Sequence, residues 1–480
     1  MILNKKDNIY MIGIKGVGMA MLAQFLVFKG FKVSGSDVEE EFQTNKTLAN
    51  SKIKVKHGFS LKDFPEKIDL VIRSSAFDIK KNIELKYLNK KGVKIVTYAE
   101  TVGYLFNQYF GISVCGSHGK TTVTSWLGYT LFKSNFSPNV LSGSYVRQFK
   151  GSSLLGKSKY FVLESDEYQN KLQYFNPQMV VLNNIDFDHP DYFKDKKAYF
   201  KVFADFVKKI PKSGFLVTNI DDIQCLKISK FNQGKNIFYT LNDNKKIKNI
   251  DKLNYEYLYK IENIKTERYG QSFTLYQSSK NLGKFKIKLM GSHNIYNALA
   301  VISSCLELKV DLEKIRKNLF LFTGASRRFD VLGVYNDSVI IDDYGHHPTE
   351  VKACLQAVKQ RYNDKKIITV FHPHTVSRTK ALFDDFVKSF ELTDNLYLME
   401  IYTSAREKAQ KLSSLDLMKK IEQYNLKHNI KQELKYFKNF SDIEKDLRKV
   451  AGKDKVILLL GAGDIFRVAY KLLNISSKDI

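Results

Sequence analysis

Residues 110–122, "FGISVCGSHGKTT", set a short apolar run, a glycine-bracketed turn and a Gly-Lys-Thr triplet in direct succession. A strand that runs into such a turn and then into a helix offers successive backbone N–H groups to a phosphate. A lysine ammonium and a hydroxyl follow where a triphosphate and Mg²⁺ need them. A strict P-loop also asks for a glycine five residues before Gly119, and Val114 stands there. The segment therefore reads either as a shortened nucleotide loop or as a turn without a ligand. As a loop, its ATP-binding candidates are Gly116, Ser117, His118, Gly119, Lys120, Thr121 and Thr122, with Lys120 on the outer phosphates and Thr121 on the metal.

Comparable apolar runs recur along the chain, at 8–14, 68–75, 159–165, 179–185, 339–343, 366–371, 395–401 and 455–461. They are short and nearly continuous, as strands buried on both faces of a parallel sheet are. Helical patterns alternate with them, which predicts an α/β protein. A chain of 480 residues exceeds one ordinary core and leads to an expectation of about three domains. Boundaries are expected near 108, where the loop unit opens, and near 323, within "LFLFTGASRRFD", giving domains at 1–107, 108–322 and 323–480. The Lys- and Asn-rich stretch 228–285 reads as an antiparallel insertion.

The net charge of +27 raises the question of nucleic acid. Of the 77 basic residues, however, 66 are Lys spread along the chain and only 11 are Arg, the residue favoured for bidentate phosphate and base contacts. A Lys-rich background of solvated faces is the preferred reading, with no nucleic-acid partner. Neither a signal peptide nor a run of about 18 apolar residues is visible. Cys115, Cys225, Cys305 and Cys354 match no zinc or disulfide spacing. A cytoplasmic protein with no membrane partner is expected, as a monomer or homodimer.

Residues 10–26, "YMIGIKGVGMAMLAQFL", combine a strand, a glycine turn and an apolar helix, the start of a dinucleotide-type βαβ unit. Gly13, Gly16 and Gly18 give G-x-x-G-x-G rather than G-x-G-x-x-G, with Lys15 in the second glycine's place and Asp37 ending the next strand. A phosphate-bearing ligand is favoured there over an empty turn, whereas NAD is weakly supported. "KYFVLESDEYQN" (159–170) ends a strand with Glu164, Asp166 and Glu167, where a carboxylate is well placed for Mg²⁺. "NNIDFDHPDYF" (183–193) ends another with Asp186, Asp188, His189 and Asp191. Histidine is a poor first choice for Mg²⁺, so these residues alone read equally well as helix N-caps. "GASRRFD" places adjacent arginines on opposite sides of an extended segment, one toward the cleft. In "DDYGHHPTEV" a Pro-started helix can face an anion.

Taken in order, "GSHGKTT", "ESDEY", "NNIDFDHPDYF", "GSHNIYNALA", "GASRRFDVLG", "DDYGHHPTEV", "FHPHTVSRT" and "GAGDI" resemble the Mur ligase family from about residue 8 to 470. The resemblance implies a Rossmann-like N-terminal domain for a UDP-sugar, a central P-loop-type ATPase domain and a Rossmann-like C-terminal domain. It implies ATP and Mg²⁺ as cofactors, UDP-N-acetylmuramate and L-alanine as small-molecule substrates, and amide formation through an acyl phosphate. Lys120, Glu164, His189, Arg328 and Asp343 are then catalytic, with Thr121 and Glu164 on one Mg²⁺ and His189 on a second. Asn294 and Asn297 would hold adenine, and Arg328 and Asp343 would reach ATP from the C-terminal domain. His374 and Arg378 would take the amino acid. Gly13, Lys15, Gly16, Val17, Gly18, Asp37, Ser74 and Ser75 would take the UDP-sugar. The chain departs from the family pattern at Ser117, at Lys15 and at Thr375, where some members carry another Arg. No candidate for the carbamylated lysine of some related ligases is evident. A relative that joins an intact peptide to the same sugar nucleotide is the nearest alternative. An NAD-dependent dehydrogenase and a nucleic-acid-stimulated ATPase are more distant ones.

Overall fold

The computed structural model describes residues 3–4, 6–42, 44–62, 64–242, 254–267, 269–402 and 412–475. Among these residues three separate sheets carry the architecture. In the first, strands run in the order Lys54–His57, Lys32–Asp37, Asn8–Ile12, Leu70–Arg73, Lys94–Thr97, all parallel. The chain reverses its direction of travel between Asn8–Ile12 and Leu70–Arg73. That opens a crevice beyond their carboxyl ends, the usual ligand position in a doubly wound sheet. The first strand stops at Ile12, two residues short of the apolar run, because Gly13 turns the chain at φ +81°. A side chain at Gly13 would meet the Phe77 ring at 2.6 Å.

Among the described residues the second sheet has ten strands, and Phe110–Cys115 lies inside it between Met179–Leu182 and Tyr160–Glu164. Its residues Ile112, Val114 and Cys115 are fully buried, the environment that selects a continuous apolar run. Helix Lys120–Lys133 follows from the glycine turn. It is buried from Thr121 to Leu131 because helices Ser292–Glu307 and Leu312–Leu321 pack over it. Trp126, the chain's only tryptophan, stacks on Phe322 with ring centres 5.4 Å apart and donates its Nε1–H to Leu319 O at 3.1 Å.

The 228–285 stretch differs from the expectation. Lys235–Thr240 pairs parallel with Phe215–Asn219 and continues the main sheet. Antiparallel pairing begins only with Tyr257–Glu267, Gly270–Gln277 and Lys280–Ile287. The Lys and Asn content of this region had masked the "NIFY" run, which is buried on both faces. Residues 243–253 and 268 of the proposed insertion lie outside the described residues.

The third sheet orders Asp330–Tyr335, Ser338–Asp343, Lys455–Leu460, Lys366–Phe371, Asn395–Met399 and Glu433–Phe437. Only its first strand is antiparallel. Among the described residues no helix is long and apolar enough to cross a membrane, and all four cysteines are buried and unbridged. Replacing Trp126 by Ala removes both its ring packing and its hydrogen bond. The expected cost is about 3–5 kcal/mol, read from chemical denaturation of the central domain by circular dichroism; a loss within error of zero contradicts this packing.

Candidate active site

The glycine turn works because two of its residues have no side chain. Gly116 adopts φ +122°, and a Cβ there would lie 2.7 Å from Asn184 O. Gly119 adopts φ +81°, and a Cβ there would lie 2.6 Å from Asn297 Oδ1. Ser117 N donates to Asn184 O at 3.0 Å and His118 N to Asn184 Oδ1 at 2.8 Å, so the loop is pressed onto the end of the neighbouring strand. The Ser117 hydroxyl accepts from Asp186 N at 2.8 Å and lies 2.8 Å from Tyr199 Oη. Its departure from the family pattern thus keeps a hydroxyl in a buried network.

Lys120 Nζ donates to Gly116 O at 2.6 Å, Ser117 O at 3.1 Å and Glu167 Oε2 at 3.0 Å. Burial alone would lower its pKa, but Glu167, Asp166 and Glu164 carry it above the usual lysine value, so the ammonium is permanent. Thr121 Oγ1 donates to Glu164 Oε1 at 2.7 Å, and Gly143 N donates to the other carboxylate oxygen at 2.5 Å. The hydroxyl and carboxylate expected on one Mg²⁺ are therefore adjacent.

The second metal candidate has company. His189 Nε2 lies 3.7 Å from Glu167 Oε1, and Asp166, Glu167 and His189 present ligand atoms within 4.8 Å of one another. Burial opposes ionisation of Asp166, yet Lys171, Lys120 and His189 bring its pKa down to about 2. His189 holds a left-handed φ of 57°, a conformation that costs energy and clusters at functional sites. The N-cap reading of this region is corrected by the structure. Asp195 caps the following helix, accepting from Ala198 N at 2.8 Å. Asp186 and Asp188 instead reach across to the C-terminal domain.

A cavity of about 610 Å³ opens beside the loop, lined by Gly119, Asn183, Tyr239, Asn294, Asn297, Arg328, Asp343 and Glu350 among others. Asn297 Nδ2 donates to Asn294 Oδ1 at 3.0 Å, so the two share one face of helix Ser292–Glu307. Arg328 Nη2 approaches Thr121 Oγ1 at 3.4 Å. Asp343 accepts from Phe329 N and Gly345 N, both at 2.7 Å, and so shapes the turn that carries Arg328. The two arginines do part company. Arg327 is structural, donating to Asp342 Oδ2 at 3.1 Å and Gly461 O at 2.6 Å, between the Tyr344 and Phe466 rings.

Helix Pro348–Arg361 does not leave its N-terminus open to an anion. Glu350 folds back to accept from His346 N at 3.0 Å and His347 N at 3.3 Å. The same carboxylate meets His118 Nδ1 at 3.2 Å, while Asp186 Oδ2 meets His118 Nε2 at 3.2 Å. Burial would depress the His118 pKa, but these two partners raise it to about 9. Nearby, Arg378 Nε donates to Asp188 Oδ1 at 2.7 Å with both side chains buried, and Arg378 Nη1 lies 3.3 Å from His374 Nδ1. Arg378 holds the Asp188 pKa well below the usual range despite burial. The roles of Glu350, Asp186 and Asp188 were not legible from spacing, since their partners are up to 232 residues away.

In the N-terminal crevice, Gly16, Val17, Gly18, Ser74 and Ser75 line a cavity of about 270 Å³ together with Gln169, Lys171 and Tyr174 from the central domain. Gly13, Lys15 and Asp37 are not among its lining residues. Lys15 is 1% exposed, its amide donates to Asp37 Oδ2 at 2.6 Å, and its ammonium donates to Val38 O at 2.7 Å and Glu40 O at 2.9 Å. Both side chains brace the turn from behind. Lys171, which pairs with Asp166 at 2.5 Å, connects this crevice to the acidic cluster.

A glycine loop on which a lysine, a hydroxyl and a strand-end carboxylate converge, with another α/β domain closing on it, is the architecture of an ATP-dependent enzyme. Family models described as Mur ligase family, catalytic domain, Mur ligase middle domain, and Mur ligase, glutamate ligase domain match residues 8–110, 114–305 and 327–463. A UDP-N-acetylmuramate--L-alanine ligase of Clostridium acetobutylicum is 36% identical over 97% of each chain. One of Lactobacillus delbrueckii subsp. bulgaricus is 36% identical over 98% of this chain and 99% of its own. The chain belongs to the Mur ligase family. The fold agrees with the solved UDP-N-acetylmuramate-alanine ligase of Thermotoga maritima, with a TM-score of 0.80 at 23% identity over 98% of each chain. A murein peptide ligase of Psychrobacter arcticus gives a TM-score of 0.72 at 22% identity over 99% of each.

Two substitutions probe this geometry. Gly119→Ala forces a side chain into left-handed backbone and against Asn297, and should raise the KM for ATP about tenfold or more in steady-state kinetics. Arg378→Met leaves a buried carboxylate unpaired and should cost about 3–5 kcal/mol in denaturant unfolding. Adding Asp188→Asn should recover most of that loss; no recovery contradicts the pair's role.

Proposed function

We propose that this chain joins L-alanine to the lactyl carboxylate of UDP-N-acetylmuramate at the expense of ATP, supplying a peptidoglycan precursor. The full-length similarity to ligases of that name carries the reading, at 36% identity over 97% of both chains. ATP would lie with its phosphates on the loop from Gly116 to Thr122 and its adenine between Asn294, Asn297 and the C-terminal domain. A division into domains 1–107, 108–322 and 323–480 is supported by the three separate sheets. The four unbridged cysteines support a cytoplasmic setting.

The residues suit Mg²⁺. Thr121 and Glu164 offer hard oxygens 2.7 Å apart, and Asp166 and Glu167 add carboxylates beside His189. Thr121 and Glu164 would hold one ion and His189, with its acidic neighbours, a second; the ions would neutralise charge on the phosphates. Gly13, Gly16, Val17, Gly18, Ser74 and Ser75 would hold the UDP-sugar, with Lys15 and Asp37 acting from behind the turn.

In the proposed reaction a lactyl carboxylate oxygen attacks the γ-phosphorus and ADP leaves, giving an acyl phosphate. Such a transfer needs positioning and charge neutralisation more than covalent help. Lys120 supplies a fixed ammonium at the outer phosphates, and Arg328 a second cation from the opposite domain. The alanine amine then attacks the acyl carbon, inorganic phosphate leaves and the amine gives up a proton. Arg378, held by Asp188 and His374, would take the alanine carboxylate. Ion pairs across the cleft keep water from the acyl phosphate by holding the domains together.

The test is phosphate release with ATP, Mg²⁺ and UDP-N-acetylmuramate while amino acids are varied. Release should depend on L-alanine and fall by roughly 10²–10³-fold or more in Lys120→Ala. Release without the sugar nucleotide, or a clear preference for an intact tripeptide over alanine, would overturn the reading.

A further inference from the structure

His118 and Asp186, on the wall of the nucleotide cavity, and the buried His347 behind them bring ligand atoms within 4.8 Å of one another. None of the three belongs to the Mg²⁺ positions at Thr121, Glu164 and His189. Asp186 Oδ2 lies 3.2 Å from His118 Nε2 and 3.5 Å from His347 Nδ1. Around an ion with bonds of about 2.0–2.1 Å, tetrahedral geometry sets neighbouring ligand atoms about 3.4 Å apart. Both measured edges are close to that spacing.

The surroundings also fix the ring nitrogens correctly. His118 turns its other nitrogen, Nδ1, to Glu350 Oε1 at 3.2 Å. A carboxylate behind a ligating histidine holds the tautomer that leaves the far nitrogen its lone pair. His347 Nε2 faces Phe187 O at 3.2 Å. A carbonyl only accepts, so the proton sits on Nε2 and the lone pair on Nδ1. Among the described residues the donor facing that lone pair is Thr349 N at 3.3 Å, the cap bond of helix Pro348–Arg361, which a bound ion would displace. Thr349 Oγ1 donates to Asp186 Oδ2 at 2.6 Å and orients the carboxylate. Two carboxylates, Asp186 and Glu350, balance a divalent charge.

We propose that His118, Asp186 and His347 form a binding site for a borderline-soft divalent cation of the Zn²⁺ class, separate from the Mg²⁺ positions. Two imidazoles and one carboxylate select such an ion over Mg²⁺, which prefers oxygen alone. The ion replaces the proton shared by His118 and Asp186, which passes to solvent. His118 and Asp186 come from the central sheet's loops, and His347 caps a helix of the C-terminal domain. A bound ion therefore ties the C-terminal domain to the nucleotide loop.

The experiment is titration of the full-length protein with Co²⁺, and displacement by Zn²⁺, in millimolar Mg²⁺, followed by visible absorption. The wild type should take up one equivalent with the intense bands of a four-coordinate site. His347→Asn retains a good helix cap but should weaken binding at least about tenfold. Asp186→Asn, which still accepts from Thr349, should do the same, whereas His189→Asn should leave binding intact. Wild-type affinity no better than millimolar, unchanged binding in both His347→Asn and Asp186→Asn, or loss of the bands in His189→Asn would overturn the proposal. The last outcome would place the ion at the Asp166–Glu167–His189 cluster.

Discussion

Everything in this site depends on how closely the glycine loop approaches the adjoining strand end. Gly116 leaves room for only a hydrogen where a methyl would lie 2.7 Å from Asn184 O, and the amides of Ser117 and His118 are consumed by Asn184. That contact fixes the loop's direction. The next residues then start helix Lys120–Lys133 with Thr121 beside Glu164 and the Lys120 ammonium over Glu167. Gly119 extends the constraint to a third element, since its bare backbone lies against Asn297 of helix Ser292–Glu307. One turn without side chains thus sets the spacing between Lys120, Thr121, Glu164 and Asn297.

The C-terminal domain is held to this centre by charge rather than by a continuous apolar interface. Its polar contacts include His118 with Glu350, Asp186 with Thr349, His347 with Phe187 O, and the buried Arg378–Asp188 pair. Buried ion pairs recover little net stability after desolvation, but breaking one side is costly. Such contacts define one closed arrangement without making it irreversible, which suits a domain that must admit substrates and release ADP. Left-handed backbone at His189, Arg327, Phe329 and Thr375 surrounds the same cleft. Strain gathered there is maintained by the packing of the sheets behind it.

Much of this was legible in the sequence where chemistry demands neighbours. Phosphate binding needs contiguous residues, so "GSHGKTT" announced Lys120 and Thr121, and the end of the next buried strand announced Glu164. The glycine turn at Gly13–Gly18 was legible for the same reason. Residues joined only by tertiary structure were not. Lys15 occupies a glycine's place in a phosphate-loop pattern, yet the turn at Gly13 points its ammonium at the carbonyls of Val38 and Glu40. Glu350 reads as a helix-start residue, and its bond to His118 depends on two domains meeting. Asp166 and Glu167 were visible beside Glu164, but their separate partners, Lys171 for Asp166 and Lys120 for Glu167, appear only in the fold. The parallel strand Lys235–Thr240 was hidden by polar flanks that say nothing of its buried centre.

In the proposed reaction this site activates a carboxylate by moving phosphate onto it. The most direct measurement uses UDP-N-acetylmuramate with its lactyl carboxylate labelled with ¹⁸O, turned over with ATP and L-alanine, and mass analysis of the released inorganic phosphate. Acyl phosphate formation transfers one carboxylate oxygen, so each phosphate formed should carry one ¹⁸O. Phosphate free of label, alongside amide product, would rule out an acyl phosphate.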